Sequence, residues 1–343
     1  MCGIYSIFGT RRAIGDVSRA ETHAVQHRGP DQTREVVNEE KTGMMVFHRL
    51  AIVGLEEKSM QPMQRNKCLL TCNGEIYNYR ELIEKFELAN KYESACDVEI
   101  ILHLSAVMSP FELLNTIDGV FAFVLWDMVT NTVLVARDPI GVRPLFYAMS
   151  TDENNDCTIA FASEPCALAK FGSLVQEFPA GSFATFRLNA RGGYCVGWKV
   201  SPYWSPEATQ APRTLREDTV SMHISNHLVD AVERQLHADR PIGCLLSGGL
   251  DSSLIASLIC NINSRESTDP TAATQKPVHS FSIGMPGSTD LKFARQVADF
   301  IGTKHHEVLV TEQQMLDAIP DVVKCIGTYD VTTIRASVGM YLL

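Results

Sequence analysis

No apolar run in this sequence approaches the roughly 20 residues that a membrane-spanning helix needs. There is no basic excess either. The chain carries 40 acidic residues against 30 lysines and arginines, a formal net charge of −10, so it lacks the surplus cations that neutralise nucleic-acid phosphates or anionic membranes. Its ten cysteines form no CxxC pair, the closest spacing being Cys68-x-x-x-Cys72, which removes the usual zinc and thioredoxin-type signatures. No secretory signal precedes them: the apolar stretch Ile4 to Phe8 is too short, and Arg11-Arg12 lie on its wrong side. A cytoplasmic protein with reduced thiols and small-molecule partners is expected. No internal repeat is present.

With 343 residues, 45% of them hydrophobic and 20% charged, the chain can bury large cores, and its length favours two domains. Up to about Trp204 the apolar runs are short: Met44 to Val53, Cys68 to Cys72, Val120 to Trp126, Thr132 to Ala136 and Ile159 to Ala162. Turn residues separate them, which predicts antiparallel strands with few helices. Within Glu75 to Phe86, Tyr79, Leu82, Ile83 and Phe86 keep helical spacing. The polar stretch 205–218 predicts a linker between a domain at 1–204 and another at 219–343. In the second block, helical stripes at Val220 to Leu236, Leu254 to Ile262 and Ala294 to Ile301 alternate with strand-like runs at Ile242 to Leu246, Phe281 to Met285 and His306 to Val310. Strands alternating with helices imply a doubly wound parallel sheet. The polar segment Asn263 to Lys276 reads as an excursion from it.

A cysteine directly follows the initiator methionine. It is small enough for the usual aminopeptidase to remove Met1, which would leave Cys2 carrying a thiol and a free α-amine. That amine, at a pKa of about 8 against about 8.5 for the thiol, can act as base for its own side chain. Alone, such a cysteine is more readily incidental. A thiol attacking an amide also creates an oxyanion, which needs preorganised donors. Asn73 and Gly74 offer a side-chain amide and a backbone N–H at a predicted strand-to-helix turn, although Asn-Gly is also an ordinary turn dipeptide. Arg49 and Asp97 have the charges to hold an α-carboxylate and an α-ammonium, or to be plain surface charges.

Further segments join these: "HRGPD" (His27 to Asp31), "HRLAIV" (His48 to Val53), "QPM" (Gln61 to Met63), "NGEIYN" (Asn73 to Asn78), "DGVFAFVLWD" (Asp118 to Asp127) and "RDPIGVRPLF" (Arg137 to Phe146). With Cys2-Gly3-Ile4 they resemble the class II glutamine amidotransferases. The resemblance implies an α+β N-terminal-nucleophile glutaminase, a four-layer αββα fold with two stacked antiparallel sheets between helices. It casts Cys2 as the nucleophile attacking glutamine, and Asn73 and Gly74 as the oxyanion hole. Arg49 would take the glutamine carboxylate and Asp97 its ammonium, while Leu50, Ala51, Ile52, Val53 and Glu75 line the pocket. Cys96 stands where the family often has Ser or Gly beside that aspartate.

The second block contains "PIGCLLSGGLDSSL", a strand running through a glycine- and hydroxyl-rich loop into a helix, which is a phosphate cradle at a positive helix end. The lysine of a Walker loop is missing. SGGLDSS resembles the pyrophosphate loop of the ATP pyrophosphatases. By that resemblance Ser247, Gly248, Gly249, Asp251, Ser252 and Ser253 hold pyrophosphate, with Leu246 and Ile283 beside the adenosine. Phe281 to Val308 and Thr328 to Leu342 resemble the glutamine-dependent asparagine synthetases, and the match spans nearly the whole chain. That family activates aspartate with Mg-ATP as β-aspartyl-AMP, which ammonia from glutamine converts to asparagine. Glutamine, aspartate and ATP with Mg2+ are the implied small molecules, and the resemblance leaves room for a homodimer. A phosphoribosyl-pyrophosphate amidotransferase is disfavoured, because SGGLDSS has no place in it. His305 and His306, adjacent on a strand, face opposite ways and read as structural rather than as a metal pair.

Two departures qualify the second block. The family's SGEGSDE segment lies beyond Leu343, so the doubly wound domain is expected to be incomplete at its C-terminus, and a truncated relative with only glutaminase activity is the alternative. Gly327 stands before "TYD" where the family has Glu, and inside a helix that exchange loses about 1 kcal/mol of propensity along with a carboxylate.

Overall fold

The computed structural model describes residues 1–151, 157–189, 194–195, 198–206, 217–265 and 277–343. The chain divides into two compact units, Met1–Ala208 and Thr209–Leu343.

In the first unit a six-stranded sheet runs in the order Gln176–Glu177, Phe146–Thr151, Cys157–Ala162, Gly3–Phe8, Gly43–Arg49 and Gln32–Val37, antiparallel throughout. A second antiparallel sheet runs Tyr194–Cys195, Ser182–Leu188, Thr132–Arg137, Gly119–Asp127, Cys68–Ile76 and Met63–Arg65, with Val200–Pro202 also pairing with Ser182–Leu188. The inner faces of the two sheets meet in one core, where Phe8, Met45 and Phe161 pack with Leu69, Val124, Trp126 and Phe186. The outer face of the second sheet is covered by the short helices Tyr79–Lys85, Glu99–Leu104 and Pro110–Thr116 through Leu82, Ile101 and Leu113. The outer face of the first packs Tyr5, Ile7 and Val46 against Ile14, Leu168 and Phe171. This is the four-layer αββα arrangement. It explains why Gly3–Phe8 is buried at every residue rather than at alternate ones: both of its faces are covered.

The predicted helix at Glu75 to Phe86 starts later than its periodicity suggested. Glu75 and Ile76 remain on the strand, paired with Val120 and Gly119, and the helix begins at Tyr79. Asn73-Gly74 is therefore not a strand-to-helix turn. It lies inside the strand, and glycine is required there because a Cβ would come 2.3 Å from the Val120 carbonyl oxygen of the neighbouring strand.

The second unit holds three parallel strands, Gly243–Leu245, His279–Gly284 and Lys304–Leu309, in that spatial order. Helices Glu217–Gln235, Leu250–Arg265 and Thr289–Ile301 pack on them through Val232, Cys244, Leu246, Ala256, Ile259, Ala294 and Ala298. Helices Glu312–Ile326 and Val331–Leu342 form a further cluster around Ala318, Val322 and Val338. The expected linker falls mostly on residues 207–216, outside the described residues, and so does most of the expected excursion, 266–276; Asn263 to Arg265 belong to the helix before it. Gly327 is not inside a helix. It closes Glu312–Ile326 in the left-handed conformation (φ 65°) with its N–H donating to Val323 O, a position that favours glycine over any carboxylate-bearing residue. Among the described residues no helix is long and apolar enough to cross a membrane.

Candidate active site and phosphate loop

Cys2 sits just ahead of the central strand Gly3–Phe8, whose pairing with Gly43–Arg49 brings the chain beyond Arg49 beside it. The Leu50 N–H donates to Cys2 Sγ at 3.4 Å, and the thiol lies 3.6 Å from Leu50 O. Burial pushes the thiol's pKa up, and the Leu50 N–H, the chain's amino terminus and the Arg143 and Arg49 guanidiniums pull it back. The backbone N–H of Cys2 donates to Asn73 Oδ1 at 3.1 Å. That contact fixes which way the Asn73 amide points, and among the described residues Asn73 Nδ2 is buried without a hydrogen-bond partner.

All the residues predicted for the glutamine site line one cleft with about 490 Å³ of empty space: Cys2, Arg49, Leu50, Ala51, Ile52, Val53, Asn73, Gly74, Glu75 and Asp97. Arg49 is 4% exposed. Its guanidinium donates to Gly54 O, to Glu56 O at 3.2 Å and to Gln32 Oε1 at 3.3 Å. Asp97 is 5% exposed and accepts from the Ile76 N–H at 2.6 Å. Burial raises its pKa to about 7, with the Ile76 N–H lowering it and the Glu75 charge raising it. Among the described residues no cation pairs with Asp97, so a buried carboxylate faces the cleft with an N–H on one oxygen and no counter-charge.

Several residues of this site carried no predicted role. Arg28, in the "HRGPD" stretch, donates through Nε to Cys2 O at 3.0 Å and through Nη1 to buried Glu164 at 2.9 Å. Gln61, in "QPM", clasps both backbone groups of Cys72: its Oε1 accepts from Cys72 N at 2.6 Å and its Nε2 donates to Cys72 O at 3.2 Å. Asp31 accepts from Ala51 N at 2.8 Å and fixes the bend after Arg49. Asp138 gathers the N–H groups of Ile140, Gly141, Val142 and Arg143, holding the turn that carries Arg143 to the cleft, where it pairs with Glu75 at 3.2 Å. The motifs that carry these residues were the available signal.

In the second unit Leu246 is buried and its N–H donates to Phe281 O, joining the loop to the middle strand. Gly248 adopts φ 80°, and a Cβ there would fall 2.4 Å from Ala294 N, so the loop packs against helix Thr289–Ile301 at a distance that only glycine allows. The loop hydroxyls bond one another: Ser247 Oγ lies 2.9 Å from Ser252 Oγ, and Ser253 Oγ donates to Gly249 O at 2.6 Å. Asp251 is exposed in the first turn of Leu250–Arg265. Ile283 is on the middle strand, His279–Gly284. His305 and His306 take different partners: His305 meets the Ser280 and Ser282 hydroxyls, and His306 stacks on His279 and Phe281.

The glutamine amidotransferase domain model matches residues 1–189, and the asparagine synthase model matches residues 223–343. Among curated proteins, the chain is 37% identical to the probable glutamine-hydrolysing asparagine synthetase of Schizosaccharomyces pombe over 100% of its own length and 61% of the relative's. It is also 37% identical to the glutamine-hydrolysing asparagine synthetase of Mus musculus, covering 62% of that protein. The chain thus spans about 61% of the length of the first of these relatives. The solved structure of the glutamine phosphoribosylpyrophosphate amidotransferase of B. subtilis aligns over 92% of this chain and 67% of that one, at 19% identity and a TM-score of 0.48. Matched over more than half its length by the first of these domain models, the chain belongs to the glutamine amidotransferase family and carries an asparagine synthase domain behind that match.

Proposed function

We propose that the first unit hydrolyses glutamine at Cys2 and that the ammonia serves an ATP-dependent conversion of aspartate to asparagine, for which the second unit supplies the pyrophosphate loop. The observation that carries the glutaminase half is the division of the Asn73 amide. Its oxygen is spent on the Cys2 nitrogen, and its NH2 group is buried and, among the described residues, without a partner in the cleft that Cys2 lines. In this reading Met1 is removed and the Cys2 nitrogen becomes an amine, which takes the thiol proton as sulfur attacks the glutamine side-chain carbon. A base is needed because burial disfavours the thiolate. Asn73 Nδ2 and the Gly74 N–H receive the oxyanion. Collapse returns the proton to the departing ammonia, and water then cleaves the thioester to glutamate and frees the thiol.

Arg49 and Asp97 would hold the α-carboxylate and α-ammonium, in a cleft walled by Leu50, Ala51, Ile52, Val53 and Glu75. An ammonium docking on Asp97 supplies the counter-charge that this buried carboxylate lacks in the protein alone.

In the second unit the loop stands at the start of a 16-residue helix, and the positive helix end there suits a polyphosphate. Ser247, Gly248, Gly249, Asp251, Ser252 and Ser253 would hold the pyrophosphate of ATP, and Leu246 and Ile283 would flank the adenosine. Mg2+ would enter with the phosphates. The reading includes domain limits of 1–204 and 219–343 about a 205–218 linker, a cytoplasmic home and room for a homodimer. The test of the glutaminase half pairs intact mass with ammonia release: the mass of a chain starting at Cys2, and hydrolysis lost in Cys2→Ala, are expected. Retained Met1, or full activity in Cys2→Ala, would overturn it.

A further inference from the structure

Asp97 is held from several directions. Its carboxylate accepts from the Ile76 N–H at 2.6 Å and from the Cys96 thiol at 3.8 Å, and the backbone that carries it is tied down by side chains standing outside the cleft. The Tyr92 hydroxyl lies 2.7 Å from Cys96 O and 3.1 Å from Asp97 O, donating to the two carbonyls that flank the Asp97 Cα. The Tyr92 ring is stacked on His103, with centroids 5.3 Å apart and planes 9° from parallel. His103 in turn lies 3.1 Å from Glu99. Buried Glu99 accepts from the N–H groups of Glu93 and Ser94, both at 2.8 Å, and from the Ser94 hydroxyl at 2.6 Å, and that hydroxyl accepts from Cys96 N at 3.1 Å. Glu93, Ser94 and Cys96, ahead of Asp97, are thereby fixed.

Ala95, between them, is fixed by a different element. Its N–H donates to Glu56 Oε1 at 2.7 Å, and the Ser59 hydroxyl donates to the same oxygen at 2.7 Å. The backbone carbonyl of Glu56 accepts from Arg49 at 3.2 Å. One residue thus touches both the segment that carries Asp97 and the guanidinium of Arg49, the two groups that would read opposite ends of an amino acid. Close packing supports the same junction, since a Cβ at Gly54 would come 2.9 Å from Cys96 N. An exposed glutamate tying these loops together serves no core packing, whereas it does fix the separation of two charged readers.

We propose that Tyr92, Glu99 and Glu56 are positioning residues for recognition of a substrate α-ammonium, acting through the 93–97 segment to set Asp97 at a fixed span from Arg49. The inference rests on the glutaminase reading above. It predicts a defect confined to binding, and to the ammonium end of the substrate. Cys2, just ahead of Gly3–Phe8, and Asn73, on Cys68–Ile76, stand apart from the 93–97 segment and bond neither Tyr92 nor Glu56, so the chemical step should be untouched.

The experiment is steady-state glutamine hydrolysis by the 343-residue protein and by its Tyr92→Phe and Glu56→Ala variants, with glutaramate, which lacks the α-ammonium, as a competitive inhibitor. Tyr92→Phe keeps the ring stack and deletes only the hydroxyl. Glu56→Ala is at an exposed position and keeps the test alive if the first variant fails to fold. Each variant is expected to raise KM for glutamine about tenfold at unchanged kcat, the scale of one or two misplaced hydrogen bonds, while the Ki of glutaramate stays at the parent value. A Ki that rises in step with KM, a loss carried by kcat, or kinetics equal to the parent's overturns the proposal. If glutaramate does not inhibit the parent, the KM-against-kcat split decides alone. A parent protein that releases no ammonia from glutamine overturns the glutaminase reading and this inference with it, whereas an active parent with unmoved KM in the variants overturns the inference only.

Discussion

In the first unit Asn73 Nδ2 and the Asp97 carboxylate are shut away from water, the one without a hydrogen-bond partner and the other without a counter-ion among the described residues, whereas in the second the Ser247 and Ser252 hydroxyls of the loop bond each other near the surface. The difference is in where the free energy of recognition is stored. Asn73 Nδ2 without a partner and Asp97 without a counter-ion each cost the free protein stability, and a ligand that satisfies them recovers that cost. Such a site is preorganised and selective. The Ser247 to Ser253 loop carries no comparable cost: a phosphate entering it must replace hydroxyl pairs that already exist, and it gains chiefly from backbone N–H groups and the helix end. The first site should therefore respond steeply to single polar deletions, and the second to changes of backbone shape.

The largest effect expected from that contrast is at Cys2, where Cys2→Ala should abolish glutamine hydrolysis and leave ATP binding by the second unit unchanged. Next is Asn73→Ala, which removes the partnerless donor and should lower kcat by about 10²–10³. Ammonia release measured at saturating glutamine checks it, and a kcat within threefold of the parent would show that the buried NH2 group faces no developing charge.

Asn73, Arg49 and Asp97 could be named from sequence because the family resemblance assigns them to one amino-acid ligand, and the structure brings all three to one cleft. Arg28 and Glu164 were not legible in the same way. They meet across 136 positions of chain, and only the pairing of Gly3–Phe8 with both Gly43–Arg49 and Cys157–Ala162 brings them together behind Cys2. Gln61 was hidden for another reason. Its amide imitates a backbone partner for Cys72, a role that any short motif containing glutamine would conceal. The αββα layering could not be read from apolar rhythm alone, since runs buried on both faces lose the alternation that marks a strand, and it came instead from the family resemblance. Helix limits suffered in the same way: Glu75 and Ile76 fit a helical stripe, but pairing with Val120 and Gly119 overrides it. Gly327 was judged as a helix residue when it is the helix stop.

Of smaller size is the effect at the phosphate loop. Gly248→Ala forces a Cβ to 2.4 Å from Ala294 N at φ 80°, and should cost the second unit about 2–3 kcal/mol along with ATP binding. Gly249→Ala meets nothing closer than the Ser247 hydroxyl at 3.5 Å and should be tolerated. Thermal unfolding together with titration of Mg-ATP separates the two, and equal losses in both variants would mean that the shape of this loop is not what holds the nucleotide.

The smallest effect on function is a pH dependence of glutamine affinity, and it tests the idea of stored cost in the first unit directly. Burial raises the Asp97 pKa to about 7 from an ordinary 3.8, against the Ile76 N–H and with the Glu75 charge adding to the rise. The nearby thiols of Cys96 and Cys72 are pushed up by the same burial, so they remain neutral across this range. Between the two pKa values the folded protein binds more protons at Asp97 than the unfolded chain does, so stability falls as pH rises from about 4 towards 7. Above that window the burden reaches on the order of 4 kcal/mol. Asp97→Asn should thus raise Tm at pH 8 and leave it unchanged near pH 3. An ammonium ligand needs the ionised carboxylate, so glutamine affinity should weaken about tenfold between pH 8 and pH 6. Calorimetric titration of the Cys2→Ala protein reads this without interference from the Cys2 amine and thiol in catalysis. Affinity that is flat across that range, or an Asp97→Asn variant no more stable than the parent at pH 8, would place Asp97 among ordinary solvated carboxylates and remove the contrast with the open loop of the second unit.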